Sequence, residues 1–152
     1  MASLVTFVKF LTLVIILNLL RYAYAYLPIE GSVLGPLFGA MERSPSYFNM
    51  NFTTFDWTTS YFYNFMLWLT ITWVYYYLHP VFNGNHIVKS LKVYGIFWVL
   101  FASISAIYMN HYSHPKDFYL WNILDALLVF PFVAVGNGLL FPRIFNVRKE
   151  IQ

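Results

Sequence analysis

The chain has 152 residues, of which 60% are hydrophobic, 22% aromatic and only 10% charged, with a net charge of +3. Soluble domains carry charge on about a quarter of their residues, so an ordinary water-soluble domain is excluded. The small, dispersed positive charge also argues against a nucleic-acid binder, and the absence of cysteine removes disulfides, thiolate ligands and thiol catalysis. What remains is an integral membrane protein, all-α, folded as a single membrane domain over residues 1–152: a four-helix transmembrane bundle with one long outer loop that contains a short interfacial helix. Its aromatic content, 13 Tyr, 16 Phe and 5 Trp, suits anchoring at membrane interfaces and contact with lipid or protein neighbours.

The first span is expected over 4–26. Ala23 to Ala25 resembles a signal cleavage site, but Arg21 just before it and the late Lys9 do not fit a signal peptide, so the segment reads as a retained helix. From 27 to 56 Pro28, Gly31, Gly35, Pro36, Gly39 and Pro45 punctuate the chain, and Glu30, Glu42 and Asp56 gather there. This is the long loop. Its apolar middle, 33–43, is too short to span a hydrocarbon core of roughly 30 Å and suits the interface. Asn51-Phe52-Thr53 matches a glycosylation sequon, a three-residue pattern that chance often supplies.

Spans are expected next over 57–78, closed by His79-Pro80, over 91–110, and over 118–141, which Pro142 should stop. A loop over 82–92 and the polar connection 110–117 join them. With the N-terminus inside, Lys9, Lys89, Lys92, Arg143, Arg148 and Lys149 lie on one side against Arg21, Arg43 and Lys116 on the other, which puts both termini in the cytoplasm.

Counted from the outer helix ends, Asn18, Arg21, Asn64, Ser103, Ser105, Asn122 and Asp125 fall at one depth and form a candidate intramembrane polar layer. Asn18 with Arg21 and Asn122 with Asp125 are spaced i, i+3, one face each. An intramembrane carboxylate calls for a partner, and Arg21 is the expected counter-ion of Asp125. In the last span Pro131 and the run Gly136-Asn137-Gly138 predict either close helix packing or a ligand notch. His111 and His114, with Asp117 and the loop carboxylates, are the only candidates for a metal site, and no metal is assigned on that spacing. No nucleophile elbow, P-loop or dinucleotide fingerprint occurs, and no cofactor can be read.

Three functions fit. The first is a small non-catalytic subunit or assembly partner of a larger membrane complex, an energy-converting one for example, with membrane lipids and other subunits as partners. The second is a proton- or ion-coupled carrier or channel using Asp125 and Arg21. The third is an enzyme acting on a lipid or quinone.

Overall fold

A computed structural model describes residues 4–49 and 51–147, apart from the side chain of Glu30; Arg148 and Lys149, counted above for orientation, lie outside the described residues. The fold is all-helical, with five helices in the order α1 (Leu4–Tyr24), α2 (Pro28–Glu42), α3 (Thr54–Leu78), α4 (His86–His111) and α5 (Lys116–Ile144), and one 3-10 turn at Pro45–Tyr47. Three of them, α1, α4 and α5, are long and apolar enough to cross a membrane.

The sequence places a short helix within the long loop, around its apolar middle 33–43, and the structure extends it to Pro28–Glu42. Pro28 occupies the first turn, where its missing N–H is no loss. Val33, Leu37 and Ala40, spaced i, i+4, i+7, then fall on one side and are buried where α2 packs on α5. Burial of that stripe outweighs three glycines and Pro36, whose unfavourable propensities made the segment read as a loop.

Helix ends also move outward from the expected spans, for local reasons. Thr53 caps α3 in a capping box: its hydroxyl accepts from the Asp56 amide at 3.3 Å and the Asp56 carboxylate accepts from the Thr53 amide at 2.8 Å. Asn85 caps α4, its side chain accepting from the Val88 amide at 3.0 Å, after a turn in which Gly84 takes φ +111°. The helix therefore starts five residues before the expected span, and Lys89 and Ser90 of the expected loop are buried in its first turns. Pro142 does not stop α5, which gives up one i→i−4 hydrogen bond there and runs on to Ile144. The stop comes at Asn146, with φ 55°, where the Val147 amide returns to the Pro142 carbonyl at 3.0 Å.

Helix α5 is the centre of the fold. It packs on α4 most extensively and also on α1 and α2, while α3 packs on α1 and α4. The core is made by Leu13, Leu17, Trp68, Ile71, Tyr75, Val93, Tyr94, Val129, Phe130, Val133, Ala134 and Phe141. In lipid such side chains gain little by leaving one apolar medium for another, so close approach and polar contacts must hold the helices together. Gly138 lets backbone meet backbone: a Cβ there would lie 2.5 Å from the Ile87 Cα and 2.9 Å from the His86 carbonyl oxygen. A Cβ on Gly136 would strike the Leu20 side chain of α1. The two glycines thus face two different neighbours.

Candidate functional site

The residues of the expected polar layer are dispersed. Asn64 accepts from its own helix, taking the Trp68 indole N–H at 2.6 Å. Ser103 is exposed and donates to the Val99 carbonyl at 2.8 Å, whereas Ser105 is buried. Asn18, Asn122 and Asp125 are half-buried, and the Asn18 side-chain oxygen is buried with no hydrogen-bond partner. Arg21 lies over the Tyr22 ring, 5.4 Å from its centroid. Among the described residues it makes no ion pair with Asp125, although its charge acts on that carboxylate through space. The reason is stagger between helices. Tyr24 packs on Phe132, with centroids 5.6 Å apart, and Leu20 meets Gly136, so this part of α1 lies beside α5 about two to three turns beyond Asp125. Counting depth from helix ends assumed flush ends, and α5 overhangs α1 where α2 covers it.

The histidines at 111 and 114 do separate work. His111 is exposed and its Nδ1 sits 3.0 Å from the Ile107 carbonyl, while His114 packs against Tyr47 and Phe48 and lies 3.3 Å from the Tyr119 hydroxyl. Asp117 pairs with Arg43 across the α2–α5 contact. Among the described residues no three His, Cys, Asp or Glu side chains gather as metal ligands.

The polar contacts that do form lie at the other end, where α3, α4 and α5 meet. Asn137 is 0% exposed and its amide donates to the Ser90 hydroxyl at 3.0 Å, also fully buried, while the Asn137 oxygen has no hydrogen-bond partner. Gly138 beside it lets α4 come close enough for that bond. The Tyr75 hydroxyl lies 3.1 Å from His86 Nδ1 and 3.3 Å from the His86 carbonyl. His79 Nδ1 lies 2.9 Å from the Tyr76 carbonyl, which can only accept, so that nitrogen carries the proton. His79 and His86 have centroids 5.9 Å apart and both rest on Phe141, at 4.7 and 5.8 Å. Lys89, 4% exposed, completes this end of α4.

Three i, i+4 pairs therefore converge: Tyr75 and His79 on α3, His86 and Ser90 on α4, Asn137 and Phe141 on α5. That spacing is the signal by which the cluster was findable in the sequence, where His79 reads as the close of a span and His86 as part of the loop 82–92. Chemically the cluster offers neutral donors and acceptors that join three helices. It contains no carboxylate among the described residues.

Composition and fold together define a helical, multi-pass membrane protein. Comparison with protein-family models, with curated proteins and with solved structures finds no match.

Proposed function

We propose that the protein is a small non-catalytic subunit or assembly partner of a larger membrane protein complex. The observation that carries this reading is the first half of α3. From Thr54 to Leu67 no side chain is buried, and Phe55 and Tyr63 are 75% and 70% exposed. Only Trp68, Ile71, Thr72 and Tyr75, all in the second half, enter the core. The uncovered stretch mixes Trp57, Tyr61, Phe62 and Tyr63 with Thr58, Thr59 and Asn64, and aromatic residues of this kind are what the buried centres of protein interfaces are made of.

In this reading α3 crosses the bilayer as the fourth span. Its hydroxyls are prepared for that: Thr58, Thr59 and Thr70 donate to carbonyls of their own helix at 2.8, 2.9 and 2.8 Å. Both termini lie in the cytoplasm, since Lys9, Lys89, Lys92 and Arg143 stand at one end of the bundle. Cysteine at Asn83 and at Ser46, both exposed, then reacts with an impermeant maleimide from opposite sides, and labelling of Asn83→Cys alone in intact cells reverses the orientation.

The decisive experiment is purification of the tagged chain from its native membrane in mild detergent, with mass spectrometry of whatever travels with it. A defined heteromeric complex is expected, and it is expected to dissociate when Tyr63→Arg is introduced. A monodisperse, monomeric chain active alone in a transport assay overturns the reading.

A further inference from the structure

The uncovered half of α3 carries a hydrogen-bond donor whose direction is fixed from within the fold. Asn64 is half-buried, and Ser60, Tyr61, Tyr63 and Leu67 around it are exposed. Its Oδ1 takes the Trp68 indole N–H at 2.6 Å. An indole can only donate, so the amide oxygen, and not the amide nitrogen, faces Trp68. Trp68 is itself anchored in the core, 2% exposed. The Asn64 Nδ2, with two N–H groups, therefore points elsewhere, and among the described residues it donates to none. In this it differs from the hydroxyls of the same helix, since Thr58, Thr59 and Thr70 all return to carbonyls of α3.

Depth decides what can accept from that nitrogen. With α3, Thr54–Leu78, centred on a hydrocarbon core of roughly 30 Å, Asn64 lies about 10 Å below the nearer edge, farther than a side-chain amide reaches. Water and headgroup oxygens are then out of range, and hydrocarbon accepts nothing, so an amide turned to lipid here carries an unmet polar group. An acceptor at this depth belongs to protein. We propose that Asn64 is the polar anchor of the α3 interface, its amide donating to a side-chain carbonyl or carboxylate oxygen on a transmembrane helix of another subunit. The inference rests on the subunit reading and on α3 as a span, and it adds the chemistry of the partner: an apolar helix with one oxygen acceptor near mid-depth. The exposed aromatic rings beside Asn64 supply contact area, and the amide fixes the register at which the two helices meet.

The test uses the full tagged chain, purified from its native membrane in mild detergent, with each co-purifying subunit quantified against it by mass spectrometry. Trp68→Phe removes the indole donor and leaves the Asn64 amide in place, so the other subunit should be retained. Adding Asn64→Leu to Trp68→Phe removes the anchor without leaving an indole N–H unmet in the core. A hydrogen bond between helices in lipid favours association by about three- to thirty-fold, and recovery of the subunit should fall by that factor relative to Trp68→Phe alone. Asn64→Gln keeps both donors and should recover part of the loss. Should the pair of substitutions fold poorly, Asn64→Thr in the parent chain gives the same loss, because its hydroxyl returns to its own helix as that of Thr70 does. Undiminished recovery with Asn64→Leu or Asn64→Thr overturns the proposal; if Tyr63→Arg still expels the subunit, the subunit reading stands without it. A parent chain that purifies alone overturns both. Mutual capture of two differently tagged copies, lost with Asn64→Leu, places the acceptor on a second copy of the chain and overturns its assignment to another subunit.

Discussion

Replacing Gly138 by alanine adds one methyl group where the backbone of α4 lies against α5. The new Cβ would stand 2.5 Å from the Ile87 Cα, 2.8 Å from its amide nitrogen and 2.9 Å from the His86 carbonyl oxygen. Carbon atoms in contact settle at about 3.5 to 4.0 Å, so α4 must withdraw by about 1 Å. All three obstructing atoms are backbone, and none can rotate aside. Such overpacking costs about 1 to 3 kcal/mol. Withdrawal also stretches the 3.0 Å bond between Asn137 and Ser90, a further loss of about 1 kcal/mol. Against this stands the gain of about 1 kcal/mol from alanine over glycine in a helix, which leaves a net destabilisation of about 1 to 3 kcal/mol. Gly95 is the internal control: it lies in the middle of α4 and a Cβ there meets nothing within 4 Å, so Gly95→Ala should stabilise by about 0.5 to 1 kcal/mol. Both variants are compared with the parent by unfolding in mixed micelles of rising dodecyl sulfate content, followed by Trp fluorescence. If Gly138→Ala is as stable as Gly95→Ala, the close crossing of α4 and α5 is not what holds this end of the bundle.

The polar contacts give three more expectations. Ser90→Ala leaves the buried Asn137 amide without its acceptor and should cost about 1 to 3 kcal/mol in the same assay, while adding Asn137→Leu should recover part of it; equal loss in both variants would deny the bond its role. Because Arg21 and Asp125 make no ion pair, a double-mutant cycle of Arg21→Gln and Asp125→Asn should return a coupling below about 1 kcal/mol, and a value of 3 kcal/mol or more would show a direct pair. At the mouth of α3 the Thr53 hydroxyl and amide hold the Asp56 carboxyl below the usual carboxylate range. A depressed value means that the contribution is present above the unfolded value near pH 4 and fades as pH falls through it, so stability of the parent should drop below pH 4 by more than that of Asp56→Asn; parallel curves would refute this.

How much of this was legible in the sequence depends on what each residue's role requires. The helical class and the apolar helices α1, α4 and α5 follow from runs of apolar residues, a property carried by each segment on its own. The full length of α2 was hidden because its glycines and prolines speak for a loop around a short helix, and only α5 makes Val33, Leu37 and Ala40 a buried stripe. Gly136, Asn137 and Gly138 were recognisable as an unusual run, but which neighbour each one faces depends on crossing geometry that no single segment contains. The polar layer shows the same limit. Its members were matched by distance from helix ends, and the stagger of α1 against α5 separates Arg21 from Asp125. The Tyr75, His86, Ser90 and Asn137 contacts escaped notice because their residues come from three helices and the first turns of α4 read as a loop.

The central place of α5 has a consequence for synthesis. It leaves the ribosome after α1, α2, α3 and α4, yet α1, α2 and α4 all pack against it. Until residues beyond Ala126 emerge, Leu17, Leu20 and Tyr24 have no Phe132 or Gly136 to meet, and α2 has nothing on which to lay Val33 and Leu37. The earlier helices must therefore wait in the membrane as separate segments, and the bundle closes around α5 rather than growing from α1. A chain cut before α5 should accordingly be recognised and degraded as unassembled.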